Sequence, residues 1–558
     1  MKKLFLLAGI CCVLGLMAAE KPLTVSSTID FLDYVFYDMP KGSSVYPLDH
    51  WEKRIAEMAA GGIDRIYLRV NVCGLTLYPS KVCTRYGERG RFHDKKLYPG
   101  QVDNLIQTLN AYDPLKETIR LGKKYNLEVW AWENLWDDAA GVVTVEGMID
   151  PTTGKAIKYP LIDPFFEDFP QGYSMSRTLP ANELAAVRKR EIGALEITSD
   201  HPRNFPARVT KDNVRILFSA DNRKYTPYTK PFTLKTQKLP DGRWKLTVSG
   251  LKIKAPYIKL AFSTPQPEDG KYVFLFSKST KSRVFDTAGA VIPTEIGYCV
   301  EKDKEAENSA LLFSEIGSWA WDYKDRQLGF ALGASDDGQY LYGFAEFAVP
   351  ETMRHKVARF EELTRYDFDG FMFNLRSHSH GEGDKYGFNP ELRELYRKRY
   401  GKDIWKDNYD RKLLNGLRAD AIDEFLLNCK KLTNGRPLYF SAISNERPTT
   451  HSAVGAWRYG VPFHYAKWFA DGSVDGVVMI DGDFRNEILK AAAGKPISLG
   501  VFREMAFPKK GYDFKSDMMA IGADPGIAEA ELYETLELTG KPAYFDIIKK
   551  AKELRSNK

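Results

Sequence analysis

The sequence predicts an α/β fold, a (β/α)8 TIM barrel with an all-β sandwich inserted after its third strand. Apolar runs typical of buried strands alternate with helical patterns, and eight such runs can be counted. Between residues 188 and 335 the pattern changes to short β-like runs separated by turn residues. Eight alternating units favour a closed barrel over an open doubly wound sheet, and no glycine-rich phosphate loop supports the open sheet.

The predicted barrel strands are, in order, residues 29–38, 63–70, 127–132, 368–375, 437–443, 474–480, 496–502 and 527–532. Helical patterns precede or follow them at 50–60, 115–125, 351–366 and 390–400. The helix before the third strand has the clearest start, with Asp113 as N-cap and Pro114 at the first helical position. The fourth strand ends abruptly in polar residues, which is where α/β folds carry ligand chemistry.

Four regions are predicted: a signal peptide at 1–19, barrel strands one to three at 20–187, the inserted sandwich at 188–335, and barrel strands four to eight at 336–558. Within the insertion, β-like runs occur at 214–219, 244–248, 257–262 and 272–276, and Asp241-Gly242 predicts a turn. An insertion at this point grows from a βα loop, on the face where barrel enzymes bind substrate. The insertion could form one side of a substrate cleft, or it could be a purely structural appendage.

The first residues resemble a secretory signal, because Lys2-Lys3 precedes an apolar stretch at 4–17 and then Ala18-Ala19. The apolar run is short for a membrane anchor, and no other segment is apolar enough to span a bilayer. Lipidation is not expected, because Ile10 precedes Cys11 where a lipobox has a small residue. We therefore expect a secreted or periplasmic protein with no membrane span in the mature chain.

The formal charge of +6 falls to +4 when Lys2 and Lys3 are left out, which is near neutral for 558 residues. Nothing in this charge indicates nucleic acid as a partner. Cys73 and Cys83 could form a disulfide in an oxidising compartment or remain buried thiols. No GxSxG, GxxxxGK[ST], HExxH or CxxC motif is present, and no cofactor is predicted.

The third and fourth strands end in residues suited to a sugar. At the end of the third strand, Trp132 and Trp136 could stack on sugar rings, Glu133 could take hydrogen bonds or protons from hydroxyl groups, and Asn134 could bind hydroxyl groups. Alternatively, one tryptophan belongs to the core and the acids cap the loop. After the fourth strand come three further candidates for binding hydroxyls or an anion, namely Arg376, His378 and His380.

Carboxylates follow the later strands as well, with Asp481 and Asp483 after the sixth, Glu504 after the seventh and Glu531 on the eighth. Glycoside hydrolysis usually needs two carboxyl groups facing one bond. We predict Glu504 and Asp481 as the catalytic pair, with Glu133 in reserve. The predicted carbohydrate-binding residues are Trp132, Asn134, Trp136, Arg376, His378, His380, Asp483 and Glu531.

Two segments resemble the glycosyl hydrolase-like 10 group: residues 112–134, YDPLKETIRLGKKYNLEVWAWEN, and residues 367–404, which contain DFDGFMFNLRSHS and GFNPELRELYRKRYGKDI. The resemblance covers only the barrel portions and implies hydrolysis of glycosidic bonds in a polysaccharide. An Asp pair that many members carry after the fourth strand is replaced here by residues 373–376, FNLR. Glu504 is similar in position to the nucleophile of the largest glycosidase clan.

Two other functions remain open from the sequence. A barrel that has lost catalysis would bind glycans without cleaving them, which Asn374 in place of an acid would favour. A metal-dependent hydrolase would use His378, His380 and Asp384, but no further histidine lies at a predicted strand end, so no metal is predicted.

Overall fold

The structure is a computed structural model. It describes residues 22–86, 101–149, 156–175, 177, 186, 189–199, 210–212, 214–220, 226–255, 257–262, 281–292, 294–300, 312–313, 329–334, 340–375, 386–406, 408–447, 460–480, 482–505 and 511–557. The predicted signal segment lies outside these residues. No helix among the described residues is both long and apolar enough to cross a bilayer.

Eight parallel strands form a closed barrel, which confirms the predicted fold class. Each strand pairs with the next, and the last pairs with the first. The barrel strands are β1 (Thr24–Ile29), β2 (Arg65–Arg69), β3 (Glu128–Asn134), β4 (Gly370–Asn374), β5 (Leu438–Ala442), β6 (Gly476–Met479), β7 (Ser498–Glu504) and β8 (Glu529–Tyr533). Because all eight run in one direction, their carboxyl ends meet at one mouth.

Helices surround the barrel and fill the connections between its strands. Their bounds are Phe31–Tyr37, Leu48–Ala60, Gln101–Ala111, Pro114–Tyr125, Pro164–Asp168, Pro350–Thr364, Pro390–Tyr400, Arg411–Leu432, Tyr465–Asp471, Arg485–Ala492, Phe514–Ala523 and Pro542–Ser556, with 3-10 turns at Pro170–Gly172 and Thr535–Glu537. The predicted cap is confirmed, since the Asp113 carboxylate accepts hydrogen bonds from the backbone N–H groups of Leu115 and Lys116.

The prediction for the first strand was wrong. Strand β1 comes earlier, at Thr24–Ile29, and most of the segment taken for a strand is the helix Phe31–Tyr37, capped by Asp30. The strand was missed because its centre is polar, Ser-Ser-Thr, yet buried. These hydroxyls bond within the closed sheet: Ser27 Oγ donates to the carbonyl oxygen of Leu532 at 3.0 Å, so their burial leaves no lost hydrogen bond.

The described residues between β3 and β4 form two antiparallel sheets and two small strand pairs, and a third small pair precedes β3. A six-stranded and a five-stranded sheet contain Ile192–Ser199, Val214–Ser219, Thr226–Pro227, Thr233–Lys238, Trp244–Ile253, Tyr257–Phe262, Lys281–Asp286, Val291–Ile292, Thr294–Val300, Leu312–Phe313 and Gly329–Ala334. The pairs are Ala139–Ile149 with Ala156–Ile162, Tyr173–Met175 with Tyr340–Ala345, and Asn71–Val72 with Leu75–Thr76, the last of which follows β2.

One apolar cluster includes side chains from both large sheets, such as Leu195 and Val248 of the five-stranded sheet and Ile216 of the six-stranded sheet. Asp241-Gly242 lies in the turn between two paired strands, as predicted. The predicted run at 272–276 lies outside the described residues. A sandwich insertion with boundaries at 188 and 335 stays a prediction.

Pairing and contacts identify which side chains face the barrel lumen. Trp132 on β3 stacks on Tyr533 of β8, with ring centroids 6.2 Å apart. Because β3 and β8 are not neighbours, this contact crosses the lumen. Alternation along each strand and the observed register then extend the lumen-facing set. This set includes Thr28, Arg65, Tyr67, Arg69, Trp130, Trp132, Asn134, Gly370, Met372, Asn374, Tyr439, Ser441, Phe502, Glu504, Glu529, Glu531 and Tyr533.

Gly370 on β4 illustrates how tightly the lumen is packed. A Cβ added there would lie 2.5 Å from the Trp130 indole, which fills the space inside the barrel. We expect Gly370→Ala to lower the free energy of unfolding by about 1–3 kcal/mol, as overpacking usually does. Denaturant unfolding measures this, with Gly416→Ala as control. Nothing lies within 4 Å of a Cβ at Gly416, a helical position, so that variant should keep or gain stability.

Candidate active site

Three carboxylates lie together where β1 and β8 reach the mouth. Asp30 caps the helix that follows β1, Asp33 lies in the first turn of that helix, and Glu534 follows β8 directly. One oxygen from each carboxyl group lies within 4.8 Å of the others. Like charges this close disfavour full ionisation, so the cluster must hold protons or cations.

Asp33 is the member of the cluster whose surroundings clearly favour the protonated form. Burial, the charges of Asp30 and Glu534, and a hydrogen bond to Glu534 together raise the pKa of the Asp33 carboxyl well above its usual value. Nearby Arg69 opposes this shift but does not reverse it. A carboxylic acid whose pKa is raised beside other carboxylates is a candidate general acid.

Arg69 of β2 organises the acids around it. Its guanidinium donates to Asp30 Oδ2 at 2.6 Å and to Asp137 Oδ2 at 2.9 Å. The same Asp137 oxygen accepts from Asn134 Nδ2 at 2.9 Å and from the backbone N–H of Cys73 at 3.1 Å. Asp30 and Asp137 are thus held as buried, paired carboxylates, whereas Asp33 and Glu534 interact with each other.

Several buried polar atoms near the mouth lack hydrogen-bond partners within the described part of the chain. They are the indole nitrogen of Trp132, the amide oxygen of Asn134 and the hydroxyl of Ser441. All three side chains belong to the lumen-facing set, on β3 and β5. Because buried polar groups are normally paired, these atoms are available to a ligand or to water inside the lumen.

Glu504, predicted as catalytic, is the last residue of β7 and faces the lumen. It pairs in register with Tyr533, the residue before Glu534. Glu531 lies one layer deeper, fully buried, where Oε1 accepts a hydrogen bond from Thr28 Oγ1 at 3.0 Å. The structure therefore brings Glu504 to the same end of the lumen as the carboxylate cluster, and Glu531 below it.

Glu133 faces away from the lumen, because it alternates with Trp132 on β3. Its Oε1 accepts from Arg359 Nε at 2.7 Å, and Arg359 belongs to the helix Pro350–Thr364 outside the barrel. Glu133 is 3% exposed, so a substrate at the mouth cannot reach it. This placement contradicts a catalytic role and favours a structural ion pair between strand and helix.

The two tryptophans are buried rather than presented to a ligand surface. Trp136 stacks on Phe344 at 4.8 Å between centroids and donates from Nε1 to the carbonyl oxygen of Ala345. This contact attaches the loop after β3 to the strand Tyr340–Ala345, contrary to the predicted sugar platform. Trp132 is 1% exposed, but it faces the lumen, and its indole nitrogen has no hydrogen-bond partner in the described parts of the chain.

The remaining predicted residues lie apart or outside the described structure. Asp483 is exposed after β6 and binds Arg485 with oxygen–nitrogen distances of 2.6–3.1 Å. Asp481, Arg376, His378, His380 and Asp384 lie outside the described residues. Their roles stay predictions.

The sequence reasoning missed Asp30 and Asp33. Both acids follow the true first strand directly, which is where barrel enzymes carry functional residues. They were overlooked because the predicted strand, residues 29–38, included them both.

A surface cavity of about 760 Å³ lies elsewhere, between outer helices, where Met353, Leu395 and Leu417 are among its lining residues. No predicted site residue lines it. Its lining also contains no cluster of polar atoms without partners among the described residues, unlike the barrel lumen.

Comparison with protein-family models gives no match, and comparison with curated proteins gives none either. The resemblance to the glycosyl hydrolase-like 10 group therefore stays a prediction. Among solved structures, the chain is similar to the catalytic domain of a β-amylase from Paenibacillus polymyxa, with 9% identity, a TM-score of 0.37, and coverage of 96% of this chain and 100% of that one.

Two β-galactosidases are also similar. The one from the psychrophilic Marinomonas ef1 has 9% identity and a TM-score of 0.34, covering 96% of this chain and 59% of that one. The one from Bacillus circulans sp. alkalophilus has 12% identity and a TM-score of 0.27, covering 42% of each chain. At these scores the likenesses carry no argument about activity.

Proposed function

We propose that the chain is a glycoside hydrolase acting on an oligo- or polysaccharide at the mouth of the barrel. The observation that carries this proposal is the cluster of Asp30, Asp33 and Glu534, in which the pKa of Asp33 is raised, at the same end of the lumen as Glu504. Cleavage of a glycosidic bond usually requires two carboxyl groups, one acting as the acid and the other as the nucleophile or base.

In this proposal Asp33 donates a proton to the leaving oxygen, and Glu504 acts as the nucleophile or as the base for water. Asp33 replaces Asp481 as the partner of Glu504, because its contacts supply the protonated state that an acid needs. The lumen-facing atoms of Trp132, Asn134 and Ser441 supply partners for sugar hydroxyls. The Arg69 contacts hold Asp30 and Asp137 in place around them.

Glu504→Gln tests the proposal directly. The wild-type protein should release reducing sugar from at least one member of a panel of plant, algal and host polysaccharides. The variant should lose activity on that glycan by roughly 10²-fold or more, since the amide can neither attack nor activate water. Its melting temperature should stay unchanged.

Glu537→Gln is the matched control. Glu537 also lies just beyond a late strand, but its side chain is 42% exposed and its carboxylate pairs with Lys541 at 3.1 Å. That variant should keep full activity. Undiminished turnover in Glu504→Gln would remove Glu504 from the mechanism. Glycan binding without any released sugar would favour the non-catalytic alternative.

A further inference from the structure

A second cluster of reactive side chains lies outside the barrel, near the helix Pro350–Thr364 that packs against the outer face of β3. Cys83 Sγ, Asp163 Oδ2 and His355 Nε2 all lie within 4.8 Å of one another. Asp163 and His355 are buried, and Cys83 is half-buried. None of the three belongs to the proposed catalytic site, and they come from three segments that are far apart in sequence.

The distances suit a tetrahedral metal with sulfur, nitrogen and oxygen ligands. The sulfur lies 3.8 Å from Asp163 Oδ2, and His355 Nε2 lies 2.7 Å from that oxygen. Zinc bonds of 2.0–2.3 Å place tetrahedral ligand atoms about 3.3–3.6 Å apart. The first distance is close to this range, and the second needs to open by roughly 0.6 Å, within the reach of side-chain rotation.

The surrounding charges are compatible with an additional cation. Asp163, Glu133 and Asp138 all act on the Cys83 thiol, together with one guanidinium, that of Arg359. This guanidinium is held by Glu133 at 2.7 Å and by Asp138 at 2.9 Å, and it lies 3.6 Å from Asp163. The other cation, Lys356, donates to both oxygens of Asp138 at 2.9 and 3.0 Å. Three carboxylates therefore surround two fixed cations.

Two further buried oxygens in this region have no hydrogen-bond partner within the described chain, namely Glu133 Oε2 and Tyr78 Oη. Both residues interact electrostatically with Cys83. Burial raises the pKa of the Tyr78 phenol, so of the two the carboxylate is the suitable additional ligand. A bound metal would satisfy Glu133 Oε2, which has no hydrogen-bond partner among the described residues.

We propose that Cys83, Asp163 and His355 form a structural zinc site. The thiolate, imidazole and carboxylate ligands match the preferences of Zn²⁺ rather than those of Ca²⁺ or Mg²⁺. The metal would connect the loop after β2, the N-cap of the helix Pro164–Asp168 and the helix Pro350–Thr364. It would thereby fasten the start and the end of the long connection between β3 and β4 to the barrel.

Without a metal, the same residues form a buried hydrogen-bonded group. His355 is then held by Asp163, and burial raises the pKa of the Cys83 thiol, which stays protonated and unreactive. The two states differ in their metal content and in the ionisation of the thiol, so they can be told apart by spectroscopy.

Co²⁺ is the probe. Full-length protein, purified with a phosphine reductant and stripped by chelator, is titrated with Co²⁺ and followed by absorption. One equivalent should give tetrahedral d–d bands and a thiolate-to-cobalt charge-transfer band, which Zn²⁺ then displaces. Zn²⁺ should also raise the melting temperature of the stripped protein, because a metal that binds only the folded state stabilises it.

Cys83→Ser and His355→Gln should abolish the charge-transfer band and the zinc-dependent shift in melting temperature. Cys73→Ser is the control, because Cys73 is a second buried free thiol outside the cluster, and it should retain both signals. Failure of the wild-type protein to give a charge-transfer band at one equivalent would overturn the proposal even if a variant cannot be purified. A band that persists in Cys83→Ser would overturn it as well.

Discussion

Asp33→Asn is expected to lower kcat on an unactivated glycan by roughly 10²–10⁴-fold. The loss follows from removing the group whose pKa is raised by burial and by its neighbours Asp30 and Glu534. Aryl glycosides with strongly acidic leaving groups need no proton, so the variant should cleave them almost as fast as the wild type does. Glu504→Gln should fail on both substrates, because attack on the sugar does not depend on the leaving group.

The pH dependence has a defined sign. A general acid works only while it is protonated, so kcat/KM should fall as pH rises through the raised pKa of Asp33, and this limb should vanish in Asp33→Asn.

The raised pKa of Asp33 also affects stability. Because the folded state holds the proton more tightly, the contribution of Asp33 to stability declines as pH rises from the unfolded value of 3.8 to the folded one.

At neutral pH, Asp33→Asn should therefore keep or raise the melting temperature, which separates lost chemistry from lost structure. Asp49→Asn is a matched control, an exposed acid in the first turn of the next helix, and it should change neither rate nor pH profile. Equal losses on activated and unactivated glycosides would show that Asp33 is not the proton donor.

The barrel could be predicted because seven of its strands contain apolar residues at most positions or in alternation, and because clearly signalled helices connect several of them. The first strand could not be predicted from hydrophobicity. Its buried hydroxyls are satisfied by residues about 500 positions away, as in the bond from Thr28 to Glu531. A local pattern contains no sign of such distant partners. The misplacement of the first strand also prevented Asp33 from being recognised as a candidate.

The orientation of the third strand shows a second limit. The sequence Trp132-Glu133-Asn134 gives alternation but not which face is the lumen, since both faces of a barrel strand are buried. Only the contact between Trp132 and Tyr533 across the lumen, and that between Glu133 and Arg359 outside it, decide the question. Glu504 ends its strand, as the sequence indicated, and the same alternation places it on the lumen side, while its catalytic role stays a prediction.

A buried ion pair at the amino-terminal end of the barrel lumen, between Arg65 and Glu529, should contribute strongly to stability. Arg65 donates to Glu529 Oε2 at 2.5 Å, and its guanidinium lies 3.9 Å from the centre of the Trp130 ring. Glu529 is 1% exposed. Arg65→Met leaves this carboxylate buried without its cation, so we expect a loss of about 3–5 kcal/mol in the free energy of unfolding.

The double variant Arg65→Met/Glu529→Leu should recover most of that loss, because apolar residues of similar size can replace a buried ion pair at little cost. Arg120→Met, which breaks an exposed pair with Glu117, should cost less than about 1 kcal/mol.

Denaturant unfolding at two pH values adds an independent check. Low pH protonates the unpaired Glu529 carboxylate, so the difference in the free energy of unfolding between Arg65→Met and wild type should shrink as pH falls. A deficit that is independent of pH, or a double variant no better than the single one, would mean that lost packing over Trp130 matters more than the unpaired charge.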